Sequence, residues 1–148
     1  MRWLALDVGA KRVGVALCDP QELVVTPQRV LPFGSVGELA QRVRELVDLW
    51  EVEGVVVGKP LTQRGASPGE ARVEAVVGAL KHALPVPVVT FDERGTSQEA
   101  QARLRELGLS PGRARQAVDA VAAAVLLEAF LAWSKAHKGT VDGDSGGC

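Results

Sequence analysis

Apolar positions along the chain recur with two periods, and the switches between them mark the elements. Residues 2–8 and 12–18 both read as strands. They flank Gly9-Ala10, with Lys11 and Arg12 following at a tight turn, and this predicts an antiparallel hairpin. Leu23 to Leu31 reads as a third strand, and Pro27 places it at a sheet edge because proline has no N–H to give a neighbour. From Ser35 the period becomes helical. Val36, Leu39, Ala40, Val43, Leu46, Val47 and Trp50 fall on one face, and Ser35 with Glu38 has capping-box spacing. Val55-Val56-Val57 is apolar without alternation, the pattern of a strand covered on both sides, and Gly58-Lys59-Pro60 ends it.

Residues 59–67 read as a loop. Ser67-Pro68-Gly69-Glu70 opens a second helix that runs to about Leu84. Val86 to Phe91, entered through Pro85 and Pro87, reads as another buried strand. Thr96 with Glu99 opens a third helix ending near Gly108, and Ser110-Pro111 opens the last one. That last helix is apolar on nearly every side from Val118 to Trp133, which predicts burial. The Gly/Asp/Ser-rich stretch 134–148 has no apolar anchor and reads as a disordered tail, leaving one domain over residues 1–133. Three strands, then helices alternating with strands, predict an α/β fold with a mixed five-stranded sheet. Right-handed crossovers leave few other topologies, and ligand sites belong at the carboxyl ends of the parallel strands.

Composition narrows the function classes. The 148 residues suit one domain, and hydrophobic (47%) and charged (24%) fractions are ordinary for a globular chain. No apolar run reaches the roughly 20 residues that span a bilayer, and Asp7 interrupts the segment where a signal peptide needs continuous apolar residues. A cytoplasmic protein with no membrane partner is expected, with Cys18 and Cys148 as free thiols. His82 and His137 lie in unrelated polar settings without zinc-ligand spacing. A net charge of −1 argues against coating nucleic acid by bulk charge, but a local basic rim around an acidic site is compatible with it.

Certain carboxylates stand out from surface charge. Asp7 lies inside the apolar strand Leu4-Ala5-Leu6-Asp7-Val8-Gly9. Asp92 and Glu93 directly follow the strand ending at Phe91, and Asp119 sits between Val118 and Ala120-Val121-Ala122. A carboxylate in apolar surroundings is costly unless paired or bound to metal. Several of them converging without histidine make an oxygen-only site that suits Mg²⁺ or Mn²⁺. Two such ions activate a water and stabilise the leaving oxygen of a phosphodiester. Structural alternatives stand beside this reading. Asp7 could be a satisfied strand polar, and Asp119 could pair with Arg115 one turn earlier. Asp92 and Glu93, adjacent on an extended segment, point to opposite sides, so at least one is not a ligand, and either could pair with Arg94. Asp7-Val8-Gly9 with Gly14 is similar to the first phosphate loop of actin-like ATPases, or is simply a glycine-containing turn. Lys59, Arg64 and Arg94 flank the proposed site as candidate phosphate contacts, and Lys11 and Arg12 complete the basic rim.

Four segments, in this order, resemble one family: Leu4 to Ala16, Val56-Val57-Gly58-Lys59-Pro60-Leu61, Phe91-Asp92-Glu93-Arg94-Gly95-Thr96-Ser97, and Val118 to Glu128. Together they look like the YqgF family, also called RuvX, over about residues 1–133. The chain departs from the family pattern at Lys59 and Gly95, where leucine is usual, and neither change removes a carboxylate. The resemblance implies an RNase H-like fold related to the RuvC resolvases. It implies a cytoplasmic nuclease linked to maturing the 5′ end of pre-16S rRNA, with branched DNA as the alternative substrate. Asp7, Glu93 with neighbouring Asp92, and Asp119 match the family's acidic positions, with Mg²⁺ or Mn²⁺ expected at Asp7, Glu93 and Asp119. RNA is the expected partner ahead of branched DNA. The chain is expected to act as a monomer or homodimer, since symmetric junction cutting needs two active sites. Two other classes compete. A non-catalytic ribosome-assembly or nucleic-acid-binding factor gains nothing from acids that repel phosphate. An ATP-dependent phosphotransferase of the actin-like type needs a second domain.

Overall fold

The computed structural model describes residues 1–59, 68–92 and 111–136. The hairpin forms as its pattern predicts: β1 (Trp3–Val8) pairs antiparallel with β2 (Arg12–Cys18), with Leu4 opposite Leu17 and Val8 opposite Val13. β3 (Val25–Pro32) pairs antiparallel with β2 at the sheet edge. The register shifts between Val15 and Ala16, whose partners are Arg29 and Pro27, so Gln28 is the extra residue. A proline and a bulge on an exposed edge both discourage pairing with another chain.

α1 (Val36–Leu49) starts where the capping signal stands, with the Glu38 N–H donating to the Ser35 hydroxyl at 3.2 Å. It buries Leu39, Ala40, Val43, Leu46 and Val47. β4 (Gly54–Lys59) continues through Gly58 and Lys59, two residues that the sequence pattern assigned to its end. α2 (Pro68–Ala83) follows, and then β5 (Val88–Asp92). β4 pairs parallel with both β1 and β5, giving the order β3-β2-β1-β4-β5. β5 is therefore an edge strand and not the buried strand expected. Val88 is buried, Val89 and Phe91 are half-buried, and Thr90 is exposed.

α3 (Pro111–Ala136) packs on the opposite face of the sheet from α1 and α2. Strand alternation sorts the core accordingly. Leu4, Leu6, Val13, Val15, Val55 and Val57 face α1 and α2, while Ala5, Ala16 and Val56 face Ala123, Ala124 and Leu127 of α3. The alanines on both surfaces let this helix come close. All-round burial holds from Ala120 to Leu127, apart from half-buried Val121. From Glu128 onward the helix is buried on one side only, and Trp133 is 42% exposed. Phe130 fixes this half of the helix by edge-on contacts with Trp3 (4.8 Å between ring centroids) and Phe91 (5.6 Å). The helix runs to Ala136, so 134–136 belong to it and not to the tail, and the Lys135 ammonium donates to the Glu22 carbonyl at 3.4 Å. The predicted helix at 96–108 and the rest of the tail lie outside the described residues.

Candidate active site

Asp7 is the next-to-last residue of β1, near its carboxyl end, and is half-buried. Its partner in the sheet is Gly14. Directly opposed residues of an antiparallel pair share a face, so whatever lies over Gly14 lies beside Asp7. A Cβ built on Gly14 would stand 1.7 Å from the carbonyl oxygen of Asp119 and 2.2 Å from its carbonyl carbon. The α3 backbone at Asp119 therefore rests on bare β2 backbone, in the space that any other residue would fill. A glycine thus lets the α3 backbone at Asp119 reach the β2 position opposite Asp7.

Asp119 is held on a second side. The Arg12 Nε–H donates to Asp119 Oδ2 at 2.7 Å, an ion pair across the mouth of the hairpin. Arg12 is the partner seen, and the alternative partner Arg115 has its side chain outside the described residues. Gly9, Ala10, Lys11, Arg12 and Asp119 line an open cleft of about 240 Å³. The hairpin that carries the two cations is fixed by the Gly9 N–H donating to the Arg12 carbonyl (2.8 Å) and the Phe33 N–H donating to the Lys11 carbonyl (2.9 Å). Its backbone is thus tied down while the Lys11 and Arg12 side chains stay exposed.

Of the other expected residues, Lys59 is on a different surface. Alternation along β4 puts it in phase with Val55 and Val57, and it lines a groove of about 250 Å³ with Glu70, Glu74, Lys81 and Thr90 on the α2 side. The structure does not bring it together with Asp7 and Asp119. Asp92 is in register with Lys59 at the end of β5. Glu93, Arg94 and Arg64 lie outside the described residues. Among the described residues no group of three or more His, Cys, Asp or Glu side chains gathers as a metal site. Two carboxylates nonetheless fit the donor chemistry of Mg²⁺, which takes one or two protein carboxylates and fills its remaining positions with water and phosphate oxygens.

Sequence reasoning found both acids but missed what joins them. Gly14 falls within the strand expected at 12–18, and its resemblance to a phosphate loop does not reveal that it sits under the α3 backbone. A glycine inside a strand marks a place where another backbone approaches closely, and that was the available signal. The Arg12–Asp119 pair had none, since it links residues far apart in the chain.

Residues 1–133 match the RuvX family, described as a Holliday junction resolvase. The chain belongs to the RuvX family. A relative from Chloroflexus aggregans is 39% identical over 129 residues, covering 86% of this chain and 91% of the relative. Another, from Pelotomaculum thermopropionicum, is 41% identical over 137 residues, covering 88% and 86%. Both bear the name "Putative pre-16S rRNA nuclease". Among solved structures, Thermus thermophilus RuvC in complex with a Holliday junction matches with a TM-score of 0.61 at 22% identity, covering 91% of this chain and 96% of RuvC. The fowlpox virus Holliday junction resolvase matches with a TM-score of 0.55 at 13% identity, covering 92% and 99%. The fold is thus that of the RNase H-like resolvases. The RuvX-family chain is a nuclease, a hydrolase of phosphodiester bonds.

Proposed function

We propose that this RuvX-family nuclease cuts RNA, in maturing the 5′ end of pre-16S rRNA, using Mg²⁺ or Mn²⁺ held by Asp7, Asp119 and Glu93. The observation that carries the reading is that the α3 backbone at Asp119 packs on Gly14, the sheet partner of Asp7, while Asp119 lines a cleft with Lys11 and Arg12. Glu93 is preferred to Asp92 as the third ligand because it matches the acidic position of the family motif Asp92-Glu93-Arg94.

When bound, the metal supplies an activated water and charge stabilisation at the leaving oxygen. The chain's own residues supply the rest. Asp7 and Asp119 hold the cation on rigid elements, a central strand and a long packed helix. Lys11 and Arg12, with Arg64 and Arg94, contact the phosphates that flank the scissile bond. Lys59 is left out of that rim because of its place on the α2 side. With a net charge of −1, affinity rests on these few contacts and falls steeply with salt, by a log–log slope of about −0.7 per neutralised phosphate on single strands. No described helix is long and apolar enough to cross a membrane, and a cytoplasmic site of action, as monomer or homodimer, suits this reading.

A magnesium-dependent cleavage assay comparing structured pre-rRNA fragments, single-stranded RNA and four-way DNA junctions tests it. Cutting of the pre-rRNA fragment near the mature 5′ end is expected. Efficient junction cutting with RNA left intact would reassign the substrate to branched DNA.

A further inference from the structure

We propose that Arg12 serves two partners in turn: Asp119 while no divalent cation is bound, and a backbone phosphate once the cation engages Asp119. This inference rests on the metal reading above. The ion pair has close, directed geometry, with the Arg12 Nε at 2.7 Å from Asp119 Oδ2. It is also accessible, the Arg12 side chain being 43% exposed and that of Asp119 23%. An exposed pair of this kind is worth a factor of about five or less in an equilibrium, so a divalent cation competes with it readily. A guanidinium left beside a newly bound divalent charge is repelled, and the cleft next to it offers a place to go. That cleft is lined by Gly9, Ala10 and Lys11 as well as Arg12 and Asp119.

The exchange needs no backbone movement. The turn is pinned by the Gly9-to-Arg12 and Phe33-to-Lys11 hydrogen bonds, so only the Arg12 side chain has to swing. Its planar fork of N–H donors matches a phosphate as well as a carboxylate. The consequence is linkage. Cation binding raises affinity for a phosphate backbone, and a bound phosphate backbone raises affinity for the cation by the same factor. The pair also holds Asp119 in place in the empty enzyme, so Arg12 is a positioning residue before it is a substrate contact.

The test uses the full chain and Ca²⁺ as an oxygen-seeking probe cation, with calorimetric titration of Arg12→Gln, Arg12→Lys and Asp119→Asn against the parent. A short single-stranded oligonucleotide, shown intact afterwards by gel, is titrated by fluorescence anisotropy with and without Ca²⁺. Thermal melts establish that each variant is folded. The proposal expects Arg12→Gln to bind Ca²⁺ more tightly than the parent, by up to about fivefold, and to show a smaller Ca²⁺-dependent gain in oligonucleotide affinity. Arg12→Lys, which keeps the charge without the fork, falls between. Unchanged or weaker Ca²⁺ binding by Arg12→Gln, or a Ca²⁺-dependent gain as large as the parent's, overturns the exchange alone. Ca²⁺ binding by Asp119→Asn equal to the parent's overturns the ligand assignment instead. Absence of Ca²⁺ binding by the parent overturns both.

Discussion

Replacing Gly14 by alanine adds one methyl group at the point where the site is assembled. The new carbon would stand 1.7 Å from the Asp119 carbonyl oxygen and 2.9 Å from the Ala120 nitrogen. A carbon and a carbonyl oxygen in contact lie about 3.3–3.6 Å apart, so relief requires about 1.6–1.9 Å of separation between strand and helix. The obstructing atoms are backbone on both sides, so no side chain can turn away. Overpacking of this kind costs roughly 1–3 kcal/mol or more, here at the upper end. For a chain of this size that is a fall in melting temperature of about 6–12 °C. The larger effect is on catalysis. A displacement of about 1 Å at reacting groups costs on the order of 100-fold, so Gly14→Ala is expected to lose at least that in metal-dependent cleavage at a temperature where it remains folded. Phe130→Ala is the control. It lies about 16 Å further along the same helix, is 6% exposed, and costs about 3–5 kcal/mol by leaving a cavity. Its cleavage rate per folded molecule should stay within a few-fold of the parent. Parental cleavage by folded Gly14→Ala, or an equal loss in Phe130→Ala, would refute the idea that close approach at Gly14 sets the spacing of the two acids.

Asp7→Asn keeps the shape and one acceptor oxygen but loses the charge, so cleavage should fall by orders of magnitude while nucleic-acid binding persists or tightens. A stable Asp7→Asn protein that still cuts would remove Asp7 from the mechanism. Glu51 follows α1 with φ of 52°, a conformation that favours glycine, and the Val52 N–H closes the helix end on the Val47 carbonyl. Glu51→Gly should therefore raise stability by about 1 kcal/mol in a denaturant titration, and a loss would count against strain at this residue. Burial raises the Cys18 thiol above its ordinary 9.0, opposed by its hydrogen bond from the Trp3 N–H. The folded state thus favours the neutral thiol, and the stability it contributes is present below pH 9.0 and lost as pH rises through the raised value. In a Cys148→Ser background, native protein at pH 8 should resist a disulfide reagent that reacts fully after unfolding, and rapid native labelling would contradict the burial.

The parts legible in the sequence are those in which local pattern and final environment agree. The Val55-Val56-Val57 run becomes β4, wholly buried between helices on both faces, because an apolar strand without alternation has no other stable place. Ser35 caps α1 because its hydroxyl and the Glu38 N–H are fixed by sequence spacing alone. β5 shows where the pattern fails. Val86 to Phe91 carries as many apolar residues as β4, yet periodicity does not tell how many neighbours a strand has. As an edge strand it leaves Thr90 exposed. Lys59 fails for a related reason. Nearness in sequence to a site-bearing strand end says nothing about the face, and one step of alternation moves a side chain to the other side of the sheet.

The acids were legible for a different reason, since they are local violations. Asp7 interrupts a strand whose neighbours Leu6 and Val8 are buried, and Asp119 opens the stretch of α3 that is buried nearly all round. A folded chain tolerates such a conflict where function compensates for it. Gly14 is the same kind of violation in the opposite direction, an absent side chain within a buried strand. Strand-interior glycine costs stability unless something needs the space, and here the helix backbone needs it. The proposed pairing of Asp7 with Asp119 at one cation depends on the approach of α3, and that approach is set by the one position in β2 where a side chain is missing. An acid in the first strand, a glycine opposite it in the second and an acid in the last helix therefore form a single constraint. Loss of the glycine should be as damaging to cleavage as loss of either carboxylate, although it binds nothing itself.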